Sequence, residues 1–450
     1  EAAERFSFYG MKAILVTFMT KYLVDSTGGL ATMEDADAKA YYHLFMMGAY
    51  FFPLLGAILS DVWLGKYRTI VALSIVYCLG HLALALDETR AGLFLGLLLV
   101  AIGTGGIKPC VSAHVGDQFG RSNAHLQSAA FGWFYLAINF GSFISTALTP
   151  WLLEKFAQWL RGSFSEASLA WLEPVERLGP HVAFGVPGIL MLIATIVFWL
   201  GRHKYVHIPA LGLTAVLEQI RGEGGRALLR LIPIYLFIAV FWSLYDQTGS
   251  AWVLQAREMD RHLFGVEFLE SQIQVINPLL ILLYVPLFTY VVYPLIHRVF
   301  PLTPLRKVSI GLFATAVAFA ITAIAQQRLD AGQTTGIVWQ LVAYLVLTGA
   351  EVMVSVTGLE FSYTQAPRAM KSIIMSFYLL AVAGGNLFTS LVNQFIKLPG
   401  GKSRLEGADY YWFFTVLMLI AAALFILVAL RYREKTYIQD EGPTAAGSET

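Results

Sequence analysis

The apolar residues of this chain are gathered into blocks of about twenty, the length a helix needs to cross the hydrocarbon layer of a bilayer. A soluble chain of 450 residues spreads its apolar residues over two or three compact cores instead. Apolar residues make up 57% of the chain and charged ones 14%, against roughly 25% charged in an ordinary soluble domain. Twelve spans are expected, at roughly 1–24, 40–60, 68–87, 92–115, 126–150, 182–201, 229–250, 271–296, 306–326, 335–357, 373–395 and 410–432. The 31 basic and 30 acidic residues nearly cancel, so no global field points to a nucleic acid. The only cysteines, Cys78 and Cys110, lie inside apolar blocks and read as small core residues, not as a disulfide or metal site.

Lys and Arg counts in the short loops set the orientation. Lys66 and Arg68 follow the second span; Arg202, Lys204, Arg221, Arg226 and Arg230 follow the sixth; Arg298, Arg306 and Lys307 follow the eighth. The alternate loops are acidic, with Asp25, Glu34, Asp35 and Asp37 after the first span and Glu258, Asp260, Glu267 and Glu270 after the seventh. Both termini are therefore expected in the cytoplasm, with Lys397, Lys402 and Arg404 after the eleventh span dissenting. The even count and basic mid-chain segment suggest two six-helix bundles, 1–201 and 229–432, joined by a cytoplasmic linker at 202–228. Leu211 to Ile220 is expected as one short interfacial helix, and 433–450 as a disordered cytoplasmic tail. No separate cleavable signal is expected, because the chain opens on Glu1 and runs straight into helical sequence.

Charges inside spans are informative, because each costs several kcal/mol unless it is paired or wet. In the first helix Glu1, Glu4, Arg5, Phe8, Tyr9 and Lys12 share one face, and Ile14, Val16 and Phe18 suit lipid. Lys12 stands about 16 Å of helix rise beyond Glu1, too far for the stripe to be a solvated helix end. Lys108 lies inside the fourth span, in GTGGIKPC, where the glycines admit a close neighbouring helix and Pro109 frees a backbone carbonyl. The stretch lacks the Gly-Lys-Ser/Thr ending of a phosphate-binding loop. A buried lysine needs a carboxylate, and the first-helix glutamates are the natural candidates. A carboxylate that alternates between such a lysine and a proton is a coupling device.

Glu351 is the other acid deep in a span, with Ser355 one turn on. Trp242, Asp246 and Ser250 share a face of the seventh span, and Phe131, Tyr135 and Asn139 one of the fifth. The eighth span adds Asn277, and the second His43 and Tyr50; His43 reads as a pairing residue more than a proton carrier. Each polar residue alone is compatible with interhelical packing. Together they suggest a polar cavity between the halves. Lys12 and Lys108 attract a carboxylate there, and Glu351 with Asn139 and Asn277 an ammonium. A zwitterion such as a peptide or amino acid fits that arrangement better than an anion, a sugar or a lipid.

Glu1-x-x-Glu4-Arg5-Phe6-x-x-Tyr9-Gly10 resembles the ExxER signature of the proton-dependent oligopeptide transporters, a branch of the major facilitator superfamily. GTGGIKPCVSAHVGDQF (103–119), FYLAINFGSF (134–143), GAILSDVWLGKYRTI (56–70) and GLEFSYTQAP (358–367) resemble further motifs of that family or superfamily, in the expected order along essentially the whole chain. The resemblance implies an all-α membrane protein of two six-helix bundles that imports di- and tripeptides with protons by alternating access. It implies proton coupling at Glu1, Glu4, Arg5 and Lys108. It implies peptide contacts at Tyr9, Tyr50, Tyr135, Asn139, Trp242, Asn277, Glu351 and Ser355, and a gate position at Asp246. With Lys12, Lys108 and Phe131 these complete the expected binding set, and His43 joins Asp246 at the gate.

Lys12 stands where the family usually has arginine, so the charge is kept and the bidentate fork lost. The linker has no room for the two extra helices some members carry, and some native N-terminal residues are expected to be missing. A same-family carrier of nitrate, an amino acid or a drug-like molecule, or a non-transporting peptide sensor, are the alternative readings. An enzyme is not expected, as no metal-ligand cluster or nucleophile–base set is apparent. The expectations are completed by a monomer in a bacterial inner membrane, with the proton as coupling ion and no cofactor, metal or nucleic acid.

Overall fold

The computed structural model describes residues 1–120, 122–165, 169, 175–210, 212–219, 225–263, 265–365, 371–398 and 403–432. The tail at 433–450 lies outside the described residues, as do both ends of the linker helix, which is seen from Leu213 to Gln219. The first bundle contains α1 (Ala2–Lys21), α2 (Asp35–Leu64), α3 (Lys66–Leu86), α4 (Arg90–Asp117), α5 (Gln127–Glu154) and α6 (Leu178–His203). The second contains α7 (Gly225–Glu258), α8 (Gln272–Val299), α9 (Pro304–Asp330), α10 (Val338–Thr364), α11 (Lys371–Ile396) and α12 (Ala408–Arg431).

Among the described residues, 11 helices are long and apolar enough to cross a membrane, and α1 is the remaining long one. It falls short in hydropathy and in charge, because Glu4, Arg5 and Lys12 lie within its length. Most of α1 is covered by protein. Ile14, Val16 and Phe18 are at most 1% exposed, so their expected lipid face is instead a packing face. Several spans run past the expected ends, α2 to Leu64 and α10 to Thr364.

Small residues hold the first bundle together. A Cβ on Gly105 would meet the Phe52 carbonyl carbon at 2.9 Å, one on Gly106 the Leu73 side chain at 2.5 Å, and one on Gly103 the Tyr77 Cβ at 2.5 Å. The glycines of GTGG therefore let α2 and α3 close on α4. Gly65, at φ 74°, makes the sharp turn from α2 into α3. Local irregularity falls at informative places. α7 tightens to a 3-10 turn over Asp246–Gly249, while α10 widens to a π turn over Val352–Val356, directly after Glu351. Both departures are of the kind that concentrates at functional sites.

Candidate functional site between the bundles

A cavity of about 250 Å³ lies between the bundles. From the first bundle it takes Tyr9 and Lys12 of α1, Tyr50 of α2, and Tyr135, Asn139, Ser142 and Thr146 of α5. From the second it takes Trp242, Tyr245 and Asp246 of α7, Gln274 and Asn277 of α8, and Tyr344, Glu351 and Ser355 of α10. Aromatic walls with a few convergent polar groups are the usual lining of a small-molecule site.

The charged groups sit on opposite bundles. Glu351 accepts a 2.7 Å hydrogen bond from Asn277 Nδ2, and the Tyr245 hydroxyl bonds it too. Lys12 Nζ lies 3.0 Å from Asp246 Oδ1, with side chains 10% and 1% exposed. From that pair a buried chain continues. Asn386 of α11 donates to Asp246 Oδ2 at 2.7 Å, its Oδ1 pairs with His43 Nδ1 at 2.7 Å, and His43 Nε2 meets Ser250 Oγ at 2.9 Å. The two expected gate residues are thus joined through a third. Asn386 was not singled out in the sequence, although its place in the small-residue run AGGN marks a close helix approach.

Further cross-bundle links lie at the face where α1 ends, the outer face by loop charge. Glu270, 1% exposed, takes hydrogen bonds from Thr17 at 3.0 Å and Lys21 at 2.8 Å. Arg257 pairs with Asp35 at 2.7 Å, and Lys397 with Asp37 at 2.6 Å and Glu34 at 3.2 Å. Gln274 Nε2 donates to the Ala13 carbonyl and Ser390 to that of Ala40. These contacts tie the two bundles together at that end.

Two expected binding residues lie elsewhere. Phe131 packs beside Gly116, near the inner end of α4, and does not line the cavity. Lys108 Nζ has no hydrogen-bond partner among the described residues. It stands 3.9 Å from the Phe8 ring centroid and 3.8 Å from that of Tyr50, behind the cavity wall. The expected carboxylate pair is replaced here by cation–π contact. The glutamates pair within their own helix, Arg5 with Glu1 at 2.6 Å and Glu4 at 3.2 Å. Glu4 is 3% exposed and neither of its oxygens has a hydrogen bond of normal geometry.

At the opposite face the linker's first residues dock on the first bundle. The Val206 backbone exchanges two hydrogen bonds with the Gln118 side chain, and His207 stacks on Tyr67 at 4.5 Å. Lys66 pairs with Asp117 at 2.6 Å, tying the α2–α3 turn to the end of α4.

The family model described as PTR2, POT family, matches residues 67–217 and 212–413. Peptide transporter family 1 of Drosophila melanogaster is 36% identical over 374 residues, covering 73% of this chain and 47% of that protein. Solute carrier family 15 member 2 of Homo sapiens is 35% identical over 410 residues, covering 80% of this chain and 52% of that protein. The chain thus spans about half the length of these relatives. A solved structure of an auto-inhibited POT family peptide transporter superposes with a TM-score of 0.83 at 36% identity, covering 98% of this chain and 97% of that one. The POT family transporter PepTSo superposes at 0.81 and 35%, covering 96% of each.

Proposed function

The chain belongs to the POT family, with the two-bundle fold of the major facilitator superfamily, and on that premise we propose that it imports di- and tripeptides together with protons by alternating access. The observation that carries this reading is the cavity with Lys12 on one bundle and Glu351 on the other. A peptide spans that gap end to end, its carboxylate toward Lys12 and its ammonium toward Glu351 and Asn277. The tyrosines around the middle accept varied side chains because they offer mainly ring surface.

Lys12 is the link between cargo and gate. In this state Asp246 holds it. A proton on Asp246 removes that attraction and frees the ammonium for the peptide carboxylate, so proton and peptide favour the same rearrangement. Glu1, Glu4 and Arg5 form the second proton-linked group, and Lys108 enters it when the cavity wall moves. We assign both termini to the cytoplasm of a bacterial cell with this protein in its inner membrane, a monomer as the working unit, and no cofactor beyond the proton.

Purified protein in vesicles, given an inward proton gradient, is expected to accumulate labelled dipeptide. No accumulation, or equal accumulation without the gradient, overturns the proposal.

A further inference from the structure

A second set of buried polar groups lies inside the first bundle, on the side of α1 away from the cavity. Ser7 and Tyr9 point about 160° apart around α1. Tyr9 faces the cavity, and Ser7 donates to the Pro187 carbonyl of α6 at 2.5 Å. His81 of α3 sits at this level, fully buried, with Gly188 of α6 so close that a Cβ there would meet the His81 Cβ at 2.9 Å. Neither ring nitrogen of His81 has a hydrogen bond of normal geometry, although the Phe184 carbonyl lies nearby.

The groups on either side of His81 share its condition. One turn inward is Tyr77, also fully buried, its ring 5.0 Å from that of His81. Its hydroxyl lacks a partner and lies in the field of Glu4 and Arg5. In the loop just past the outer end of α3, Glu88 is 8% exposed with Oε1 unpartnered, 3.8 Å from Nε2 of His181. The His181 side chain is 39% exposed, so the row ends in solvent. Tyr77 to the end of α3 at Leu86 covers about 14 Å of helix rise, and Glu88 follows in the loop beyond. Burial raises the affinity of Glu88 for a proton, and His181 and Arg177 oppose it. The titratable groups facing the row are Glu4 and Arg5 from α1, Cys78 on α3 itself, His181 from α6, and Glu88 with Arg177 at the outer end. On its other side α4 presents Gly96, Val100 and Gly103, none of them ionisable.

Buried polar atoms are normally hydrogen-bonded, and each exception needs a reason. Four on one line from the surface to Glu4 share a reason. We infer that the row is a proton route from the outer face to Glu4, separate from the peptide cavity, with His81 as relay and Tyr77 as positioning residue. The inference rests on the proton-coupled reading above. A proton from the Glu88–His181 end, passed by water, adds to one imidazole nitrogen of His81, and the proton on the other nitrogen leaves toward Tyr77 and Glu4. The ring returns to neutral, Glu4 gains the proton and loosens from Arg5, and nothing is oxidised or reduced.

The test uses vesicles loaded with a pH-sensitive dye, read for peptide-stimulated proton entry and, separately, for dipeptide counterflow. His81→Leu is expected to slow proton entry at least about tenfold. Counterflow is expected to stay within about twofold. Tyr77→Phe, which removes only a hydroxyl, is expected to slow proton entry several-fold with counterflow kept. Unchanged proton entry in His81→Leu overturns the route, and so does an equal loss of both rates in both variants, which assigns these residues to packing. Wild-type counterflow without proton entry instead removes the proton-coupled reading, and the route with it.

Discussion

Lys12 Nζ reaches Asp246 Oδ1 at 3.0 Å across the boundary between the bundles, with both side chains nearly excluded from solvent. The same lysine faces the cavity. One ammonium therefore serves the outer closure and the expected substrate carboxylate, and it cannot serve both fully at once.

Removing the Asp246 charge should open that closure. Asp246→Asn leaves a buried lysine without its counter-ion, a change that costs about 3–5 kcal/mol. A cysteine placed at Ser142, on the cavity wall, is expected to react several-fold faster with an impermeant thiol reagent from outside. Asn386→Leu should produce the same effect in milder form, since it cuts the hydrogen bonds to Asp246 and His43 but leaves the Lys12–Asp246 ion pair in place. Unchanged labelling in both variants would remove the network from gating.

Glu351 should matter for one end of the cargo. Loss of a hydrogen bond to a charged group is worth about 1.5–3 kcal/mol, or about tenfold to a hundredfold in affinity. Glu351→Ala is expected to weaken free-amine dipeptides by that factor, and N-acetylated ones much less. Competition measurements with both sets check this, and equal weakening excludes Glu351 as the ammonium partner.

Glu4→Gln is expected to abolish gradient-driven uptake while leaving much of the dipeptide counterflow, because exchange moves no net proton. Paired uptake and counterflow assays decide it. Parallel loss of both points to folding instead.

The outer clamp should not sense pH in the working range. Hydrogen bonding to Asp37, with Glu34 adding, holds Lys397 above its ordinary value. A raised lysine contributes stability that is complete below the ordinary lysine value and is lost as pH rises through the raised one. The lysine side of the clamp is then fully charged between about pH 5 and 8. The uptake profile of Lys397→Arg is expected to overlay wild type across that range, and a shifted midpoint would contradict the assignment.

Gly56 faces the Gly105 carbonyl directly, where a Cβ has no room. Gly56→Ala should therefore destabilise the first bundle by about 1–3 kcal/mol, read as a lower thermal midpoint in detergent. An unchanged midpoint would mean that α2 shifts freely on α4.

Span length, loop charge and the glycine run were readable from the chain because each follows from local composition. The cavity set was readable in the same way, since Tyr135 with Asn139 and Trp242 with Asp246 stand at helical spacing on one face. The surroundings of Lys108 differ from expectation for a physical reason. Sequence shows that a buried cation needs compensation, but not whether a carboxylate or a pair of aromatic rings supplies it. Asn386 was missed because an isolated asparagine in a span resembles any packing residue until its partners on two other helices are known. The His81 row was invisible because α3 alone gives a largely apolar helix with scattered polar groups. Only the approach of α1 and α6 buries them and brings Glu4 to one end.

The near-complete burial of α1 bears on how the protein is made. This helix leaves the ribosome ahead of every other one here, yet the surfaces that cover it come largely from α5 and α6, more than a hundred residues later. Until those helices arrive, Glu4, Arg5 and Lys12 have only each other, water or the translocation machinery for company. A helix made before its covering surfaces is thus late to find its final surroundings, and early biogenesis must shelter a helix that lipid alone would not hold.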